Sequence, residues 1–340
     1  MTGLDLDLLL LGRHEPDSLA ALARTAADSG FDRVLYADER FFRDCWATLG
    51  YLAARVPEIG LGVCVTDPFV RHPALTAAAA ATVDELSGGR FTLGLGAGVS
   101  GFAAMGIERT KPLVAMREAV ALIRRLLRGD EPSVDGSVIA FHGAGLDFTS
   151  RRDVPVMIAT NGPQMLELAG ELADEVMVQG MASPIMARNV LERIARGAER
   201  AGRDPSTIRL TARLDVAISD EDPAAAKAAM RPGLVRHLAT HHPRYASFAL
   251  AEIEVPEAIS RRVADTGYGH GASRELEDLL PTEWVDRFCL AGTESEVVGR
   301  LSALVEAGVD AVTIMPVDTG RPISEVVEQF GILRRGLSTE

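Results

Sequence analysis

Residues 61–98 read LGVCVTDPFVRHPALTAAAAATVDELSGGRFTLGLGAG. An apolar run (Leu61, Val63, Val65) stops at Thr66-Asp67-Pro68, and an Ala-rich helical segment opens after His72-Pro73. A second alternating run stops at Gly96-Ala97-Gly98. Strand, helix, strand, with polar or glycine-rich residues where each strand stops, is the unit from which parallel α/β proteins are built. Such proteins form their ligand sites at those strand ends.

The unit recurs. Apolar runs expected as strands lie at 4–12, 33–37, 59–65, 91–95, 155–159, 175–178, 208–218 and 311–317. Between them, apolar residues return at helical spacing over 18–29, 45–56, 73–86, 112–128, 163–173 and 184–201. Gly30, Pro57, Gly88-Gly89 and Gly202 act as stops. Asp222-Pro223 and the capping box Thr293-Glu294-Ser295-Glu296 open later helices, and 323–337 closes the chain. Eight strand–helix units close most naturally as a single (β/α)8 TIM barrel over 1–340. A doubly wound open sheet is the alternative, and no GxGxxG follows the first strand to favour it. Two excursions interrupt the rhythm. One is a weakly alternating, glycine-punctuated stretch at about 133–150, read as a β-hairpin. The other, at about 243–281, mixes turn glycines (Gly267, Gly269, Gly271) with short amphipathic pieces and reads as an insertion or lid.

Composition narrows the function classes. With 47% apolar residues the chain can bury a large core. A net charge of −13 argues against nucleic acid or an anionic membrane as main partner. The cysteines Cys45, Cys64 and Cys289 are odd in number and far apart, which fits a reducing cytoplasm better than a disulfide framework or a zinc site. No apolar run approaches the roughly 20 residues of a membrane span. The first residues lack the basic flank of a signal peptide, so the expected location is cytoplasmic.

In a barrel of this kind chemistry sits at the C-terminal ends of the strands. Three strand ends have a physical reading beyond position. Thr160-Asn161-Gly162-Pro163 runs straight into a helix, where free backbone N–H groups and a glycine suit an anion; an ordinary short turn is the alternative. Gly94-Leu95-Gly96-Ala97-Gly98 leaves side-chain-free positions that suit either a flat ring or tight packing. Asp38-Glu39 places two acids together, of which one can face the pocket while the other is solvated or pairs with Arg40 or Arg43. Cys64 in an apolar strand is a poor nucleophile. The histidines lack ligand spacing, so no metal is expected.

Several of these segments together resemble the bacterial luciferase-like family, and most closely its deazaflavin (coenzyme F420)-dependent branch typified by methylenetetrahydromethanopterin reductase. The likeness is carried by Cys64-Val65-Thr66-Asp67-Pro68, Arg71-His72-Pro73-Ala74, Asp84 to Arg90, Gly94 to Gly98 and the run from Ala159 to Asp174. Asp38 and Ala291-Gly292-Thr293 extend it over most of the chain, the segment 243–281 being least covered. The resemblance implies a barrel with an insertion after the fourth helix and a non-proline cis peptide at Cys64–Val65 supporting the middle of the cofactor ring. It implies Asp38, Thr66, Gly96, Ala97 and Gly98 along the ring. It assigns the phosphate tail to Thr160, Asn161, Gly162, Pro163, Gly180 and Met181. Homodimers or higher homo-oligomers are common in such a family. Two departures stand out: Glu39 replaces a histidine, and Val99 replaces an acid. The expected proton donors are therefore Glu39 and, less directly, Glu15. The implied activity is hydride transfer between the deazaflavin and a small-molecule substrate. The alternatives are an FMN-dependent monooxygenase served by a separate flavin reductase, and a barrel that has lost catalysis.

Overall fold

The structure is a computed structural model that describes residues 4–98, 100–148, 150, 154–266 and 274–337. Val99, Thr149 and the turn glycines Gly267, Gly269 and Gly271 lie outside the described residues. Eight parallel strands close on themselves: β1 (Asp5–Leu10), β2 (Arg33–Tyr36), β3 (Gly60–Thr66), β4 (Phe91–Leu95), β5 (Val156–Ala159), β6 (Glu175–Gln179), β7 (Arg209–Ile218) and β8 (Ala311–Pro316). β8 pairs back onto β1 through Asp5↔Ala311 to Leu8↔Ile314, and this seam makes the sheet a barrel rather than an open layer. The (β/α)8 expectation holds.

Proline marks the entry to the outer helices. α1 (Pro16–Asp28), α2 (Cys45–Arg55), α3 (Pro73–Leu86), α4 (Pro112–Leu127), α5 (Pro163–Leu172) and α6 (Pro184–Arg200) alternate with the first strands, and all but α2 begin on proline. The missing N–H is harmless in a first turn, and the fixed φ starts the helix directly from the loop. α2 instead uses Asp44, whose carboxylate accepts from the Ala47 amide. α7 (Glu294–Glu306) carries the expected capping box, Thr293 and Glu296 each accepting from the other's backbone N–H, and α8 (Ile323–Leu337) closes the ring.

Outward-facing strand residues such as Leu8, Val34, Leu61, Leu93 and Val176 pack beneath the helices in the main core. Inside the barrel the layers differ sharply. At the base, Arg33 donates to both carboxylate oxygens of Asp7 (2.7 and 3.0 Å) and both of Glu175 (2.7 Å each). Thr92, Thr211 and Thr313 complete this layer by hydrogen bonds to its charged groups. Burial pushes the Asp7 carboxyl above its usual range against the pull of Arg33. At Glu175 the same penalty is outweighed by Arg33 and Thr211, and that carboxyl sits below its usual range. Above lies an apolar layer of Leu9, Leu35, Met157 and Met177, and above that the mouth, floored by Ala37, Cys64, Val65, Ala159 and Met315.

Two elements escape the sequence pattern. A four-residue helix, Phe102–Met105, follows β4 between Gly101 and Gly106, both at positive φ, and is too short to show periodicity. A short strand, Leu290–Gly292, extends the sheet beside the upper end of β7. The first excursion is a hairpin, Val134–Asp135 against Ala140–Phe141, clasped by Glu118, whose carboxylate accepts from the amides of Ser137, Val138 and Ile139. Between β7 and the strand Leu290–Gly292 the described residues form helices: Pro223–Ala229, Arg231–His241, Ala246–Leu250, Glu257–Thr266, Arg274–Leu279 and Thr282–Phe288. No helix among the described residues is long and apolar enough to cross a membrane.

Replacing Arg33 by methionine would strand two buried carboxylates. The expected loss is about 3–5 kcal/mol of stability, measured as a fall in the urea midpoint. An unchanged midpoint would remove this cluster from the fold's foundations.

Candidate active site

The mouth is shaped first by β3. Its pairing with β4 runs in register from Leu61 to Val63, then shifts before Thr66↔Leu95. The Cys64–Val65 peptide within that shift is cis, as the resemblance implies. The bulged strand end leaves Cys64 and Val65 on the floor of the mouth beside Ala37 and Ala159. β4 can approach because it presents glycines. A Cβ on Gly94 would lie 2.1 Å from the Val63 carbonyl oxygen, and one on Gly96 would lie 2.6 Å from Val65 Cγ2. Small side chains on four adjacent strands thus give a flat apolar floor. Cys64 belongs to that floor and not to nucleophilic chemistry, since burial pushes its thiol up to about 12.

The loops above β2, β3 and β4 are clasped by charge. Arg40 pairs with Asp38 at 3.0 Å and, by its other terminal nitrogen, with the buried Asp67. Asp67 in turn accepts from the amides of Phe69 and Val70 (2.8 and 2.9 Å), so its carboxylate fixes the turn after β3. Asp38 is therefore the paired member of the adjacent acids. Glu39 is the other, and it accepts a hydrogen bond from the Ser100 hydroxyl in the loop after β4. Gly98 adopts a positive φ against Asp67 and Phe102, where a side chain would collide.

At the ends of β5 and β6, Asn161 donates to the Gln179 carbonyl (2.7 Å) and the Gly162 amide donates to Thr160 Oγ1 (3.0 Å). Gly162 caps α5, whose first turn contains Pro163 and whose amides at Gln164 and Met165 point out of the helix start. Gly180 sits at positive φ with Phe288 3.1 Å from where its Cβ would lie.

The expected site residues separate into groups. Asp38, Cys64, Val65, Gly96, Ala97 and Gly98 gather at the floor and wall of the mouth, and Thr160, Asn161, Gly162, Pro163 and Gly180 lie at the neighbouring ends of β5 and β6. Thr66 and Met181 are buried at the ends of the same strands and loops. Glu15 is exposed at the start of α1. There it lines an open pocket of about 540 Å³ with Asp17, Arg43, Asp44 and Tyr51. No contact among the described residues joins it to Glu39.

Sequence reasoning missed Ser100 and Arg213. Arg213 projects from β7 into the mouth, 3.1 Å from Asp215 and 2.7 Å from Met315 Sδ. The signal was present: Arg209, Thr211, Arg213 and Asp215 alternate through an otherwise apolar strand, and period-2 polarity in a strand covered by helices marks an inward face.

Known proteins share this fold. Residues 6–311 match the family described as luciferase-like monooxygenase. The chain belongs to that family. It is 35% identical to a 5,10-methylenetetrahydromethanopterin reductase of Methanolobus tindarius over 86% of this chain and 87% of that one. It is 31% identical to a phthiodiolone/phenolphthiodiolone dimycocerosates ketoreductase of Mycobacterium tuberculosis, over 79% and 73%. Among solved structures, the coenzyme F420 dependent tetrahydromethanopterin reductase of Methanopyrus kandleri superposes with a TM-score of 0.83 at 26% identity, covering 97% of this chain and 98% of that one.

Behind the mouth, His237 is buried with its ring against His241, Phe248 and Phe288 and its Nε2 2.9 Å from Ser247 Oγ. Burial holds His237 well below the usual imidazole range, with the neighbouring His241 and Arg213 adding to the shift, and burial lowers His241 to about 4. Both rings are neutral in the fold, whereas unfolded histidines take up protons below about pH 6.5. Stability is thus full above that value and falls as pH drops toward 4, since the unfolded state binds more protons. His241 alone accounts for about 2–3 kcal/mol of that fall. Denaturation midpoints at pH 7, 6 and 5 should decline, and His241→Leu should flatten the decline. Parallel profiles for the two proteins would contradict it.

Proposed function

We propose that this chain is an oxidoreductase that uses the deazaflavin coenzyme F420 to transfer a hydride to or from a small organic substrate. The observation that carries the reading is the floor at the bulged end of β3. There, Gly94 and Gly96 are required by contact and Ala37 and Ala159 leave a flat apolar bed. A planar tricyclic ring fits such a bed, and similarity to the F420 dependent reductase from Methanopyrus kandleri supports that choice of ring. Similarity to a methylenetetrahydromethanopterin reductase and to a ketoreductase supports reduction of a C=N or C=O bond as the reaction.

When bound, the deazaflavin supplies a hydride at C5 and is oxidised by two electrons as the acceptor carbon is reduced. The chain does the rest. Cys64 and Val65 support the ring from below, and the Arg40–Asp38–Asp67 clasp fixes the loops around it. The start of α5 at Asn161-Gly162-Pro163 offers amides and a positive helix end to the phosphate of the cofactor tail. Glu39, oriented by Ser100, is the acid placed to give a proton to the substrate heteroatom as its carbon gains the hydride.

Calorimetric titration of the purified protein with F420 and with FMN tests the cofactor. Micromolar or tighter binding of the deazaflavin is expected, and tight FMN binding with none of the deazaflavin would overturn the reading in favour of an oxygen-using flavoenzyme. Replacing Gly162 by tryptophan should weaken F420 binding about tenfold or more by blocking the α5 amides; unchanged affinity would detach that loop from the site. Glu39→Gln should lower kcat by roughly 10²-fold with cofactor affinity preserved. Full turnover would end its role as acid.

A further inference from the structure

The mouth has two unlike halves. From β2 to β5 its inward residues are small: Ala37, Cys64, Gly96 and Ala159. From β6 to β8 they are long and polar or polarisable. Gln179 stands opposite Arg213 in the β6–β7 register, and Asp215 stands opposite Met315 in the β7–β8 register. The small half accounts for the ring. The polar arc is left over, and it carries one cation, Arg213.

That cation is under-partnered by this chain's own standard. Among the described residues the three most buried ion-paired arginines are Arg40, Arg213 and Arg33, with side chains 9, 12 and 14% exposed. Arg33 holds two carboxylates, Asp7 and Glu175, and Arg40 holds two, Asp38 and Asp67. Arg213 holds one, Asp215. Even that contact is loose: the Asp215 oxygen nearest the guanidinium is buried yet makes no hydrogen bond. Both contacts of Arg213, to Asp215 and to the Met315 thioether, fall on Nη2, and among the described residues Nη1 and Nε have no partner. Neither atom is sealed from solvent, as the orphaned Nε of Arg40 is. A guanidinium with open N–H groups on a partly desolvated wall is a receptor for a carboxylate.

The direction from which that carboxylate comes is also fixed. The cleft that Arg213 lines with Gln179, Asp215, Gly180, His237 and Phe288 holds only about 10 Å³, room for no more than a water. The second anion must enter from the open mouth, over the ring floor. Resting on the hydride-transfer reading, we infer that the substrate is an organic acid. Its carboxylate docks on Nη1 and Nε of Arg213 and so holds the reducible carbon over the small-residue floor, within reach of Glu39. Asp215 stays as the first counter-ion, so the guanidinium ends between two carboxylates as Arg33 and Arg40 do.

The test uses oxo acids and their methyl esters: pyruvate, 4-oxopentanoate and benzoylformate, each against its ester. F420 binding is measured by calorimetry before any acid is added, and its absence would sink the cofactor reading independently of the acid–ester comparison. With the deazaflavin bound, at least one acid should then bind the wild type more tightly than its ester, by about 30-fold or more. Arg213→Met should abolish that preference, leave the ester's affinity within about threefold and leave F420 affinity unchanged. Asp215→Asn, which removes the competing carboxylate while retaining the guanidinium, should shift acid binding in the opposite direction, several-fold tighter. Opposite shifts from two neighbouring substitutions cannot come from a common folding defect. Equal binding of acid and ester by the wild type, including no binding of either, overturns the inference. Loss of F420 affinity in Arg213→Met overturns it as well, by assigning the guanidinium to the cofactor.

Discussion

Six of the eight barrel strands meet at one height through a single guanidinium. Arg33 on β2 holds Asp7 of β1 and Glu175 of β6 directly, and Thr92, Thr211 and Thr313 tie β4, β7 and β8 to the same charges. A buried ion cluster is a poor source of net stability, because taking its charges out of water costs about as much as their attraction returns. Its value here is registration. Each hydrogen bond is satisfied only if the strands stand at the observed stagger, and a strand that slips by one residue turns its whole inward face outward. Two carboxylates share one guanidinium, and burial first, then the neighbouring Glu175, pushes Asp7 up while Arg33 pulls it down.

With the base registered by polar contacts, the mouth is free to use side chains that contribute little cohesion. Gly96, Ala37 and Ala159 would make a weak barrel core on their own. They are tolerable because the Leu9–Leu35–Met157–Met177 layer and the ionic base beneath them already hold the strands. The loops above are then fixed by a second set of charges, Arg40 between Asp38 and Asp67, so the cavity is walled by ion pairs and floored by hydrocarbon. In such a cavity the fixed charges at the wall act across a medium of low dielectric, where they are worth more than in water.

Much of this was legible in the sequence. The strand–helix alternation, the Pro73 and Pro163 helix starts, the capping box at Thr293 and the bulge at Cys64-Val65 all rest on short-range rules or on a local motif. The helix Phe102–Met105 was not readable, because four residues carry no period. Nor could local rules locate Ser100 against Glu39, since their meeting depends on how two loops from different strands fold over the rim. Asp38 and Glu39 looked equivalent as neighbours. Only Arg40 and the distant Asp67 reveal which of them is neutralised. Met181 and Thr66, which the family likeness places at the cofactor, are both buried, a property that the sequence around them did not announce.

One packing detail sets where this molecule can adapt. α5 and α6 cross so closely that a Cβ on Gly170 would lie 2.1 Å from the Ile194 carbonyl oxygen, and one on Gly197 would lie 1.8 Å from that of Glu167. At these two glycines the helices touch backbone to backbone, and Arg193 and Arg200 of α6 pair with Glu167 and Glu171 of α5 beside the contact. The loops they carry, at Asn161-Gly162 and at Gly180, ride on a single stiff plate and are further joined by the Asn161–Gln179 hydrogen bond. A side chain larger than hydrogen at Gly170 or Gly197 would have to push the helices apart, so any change there would move both loops together.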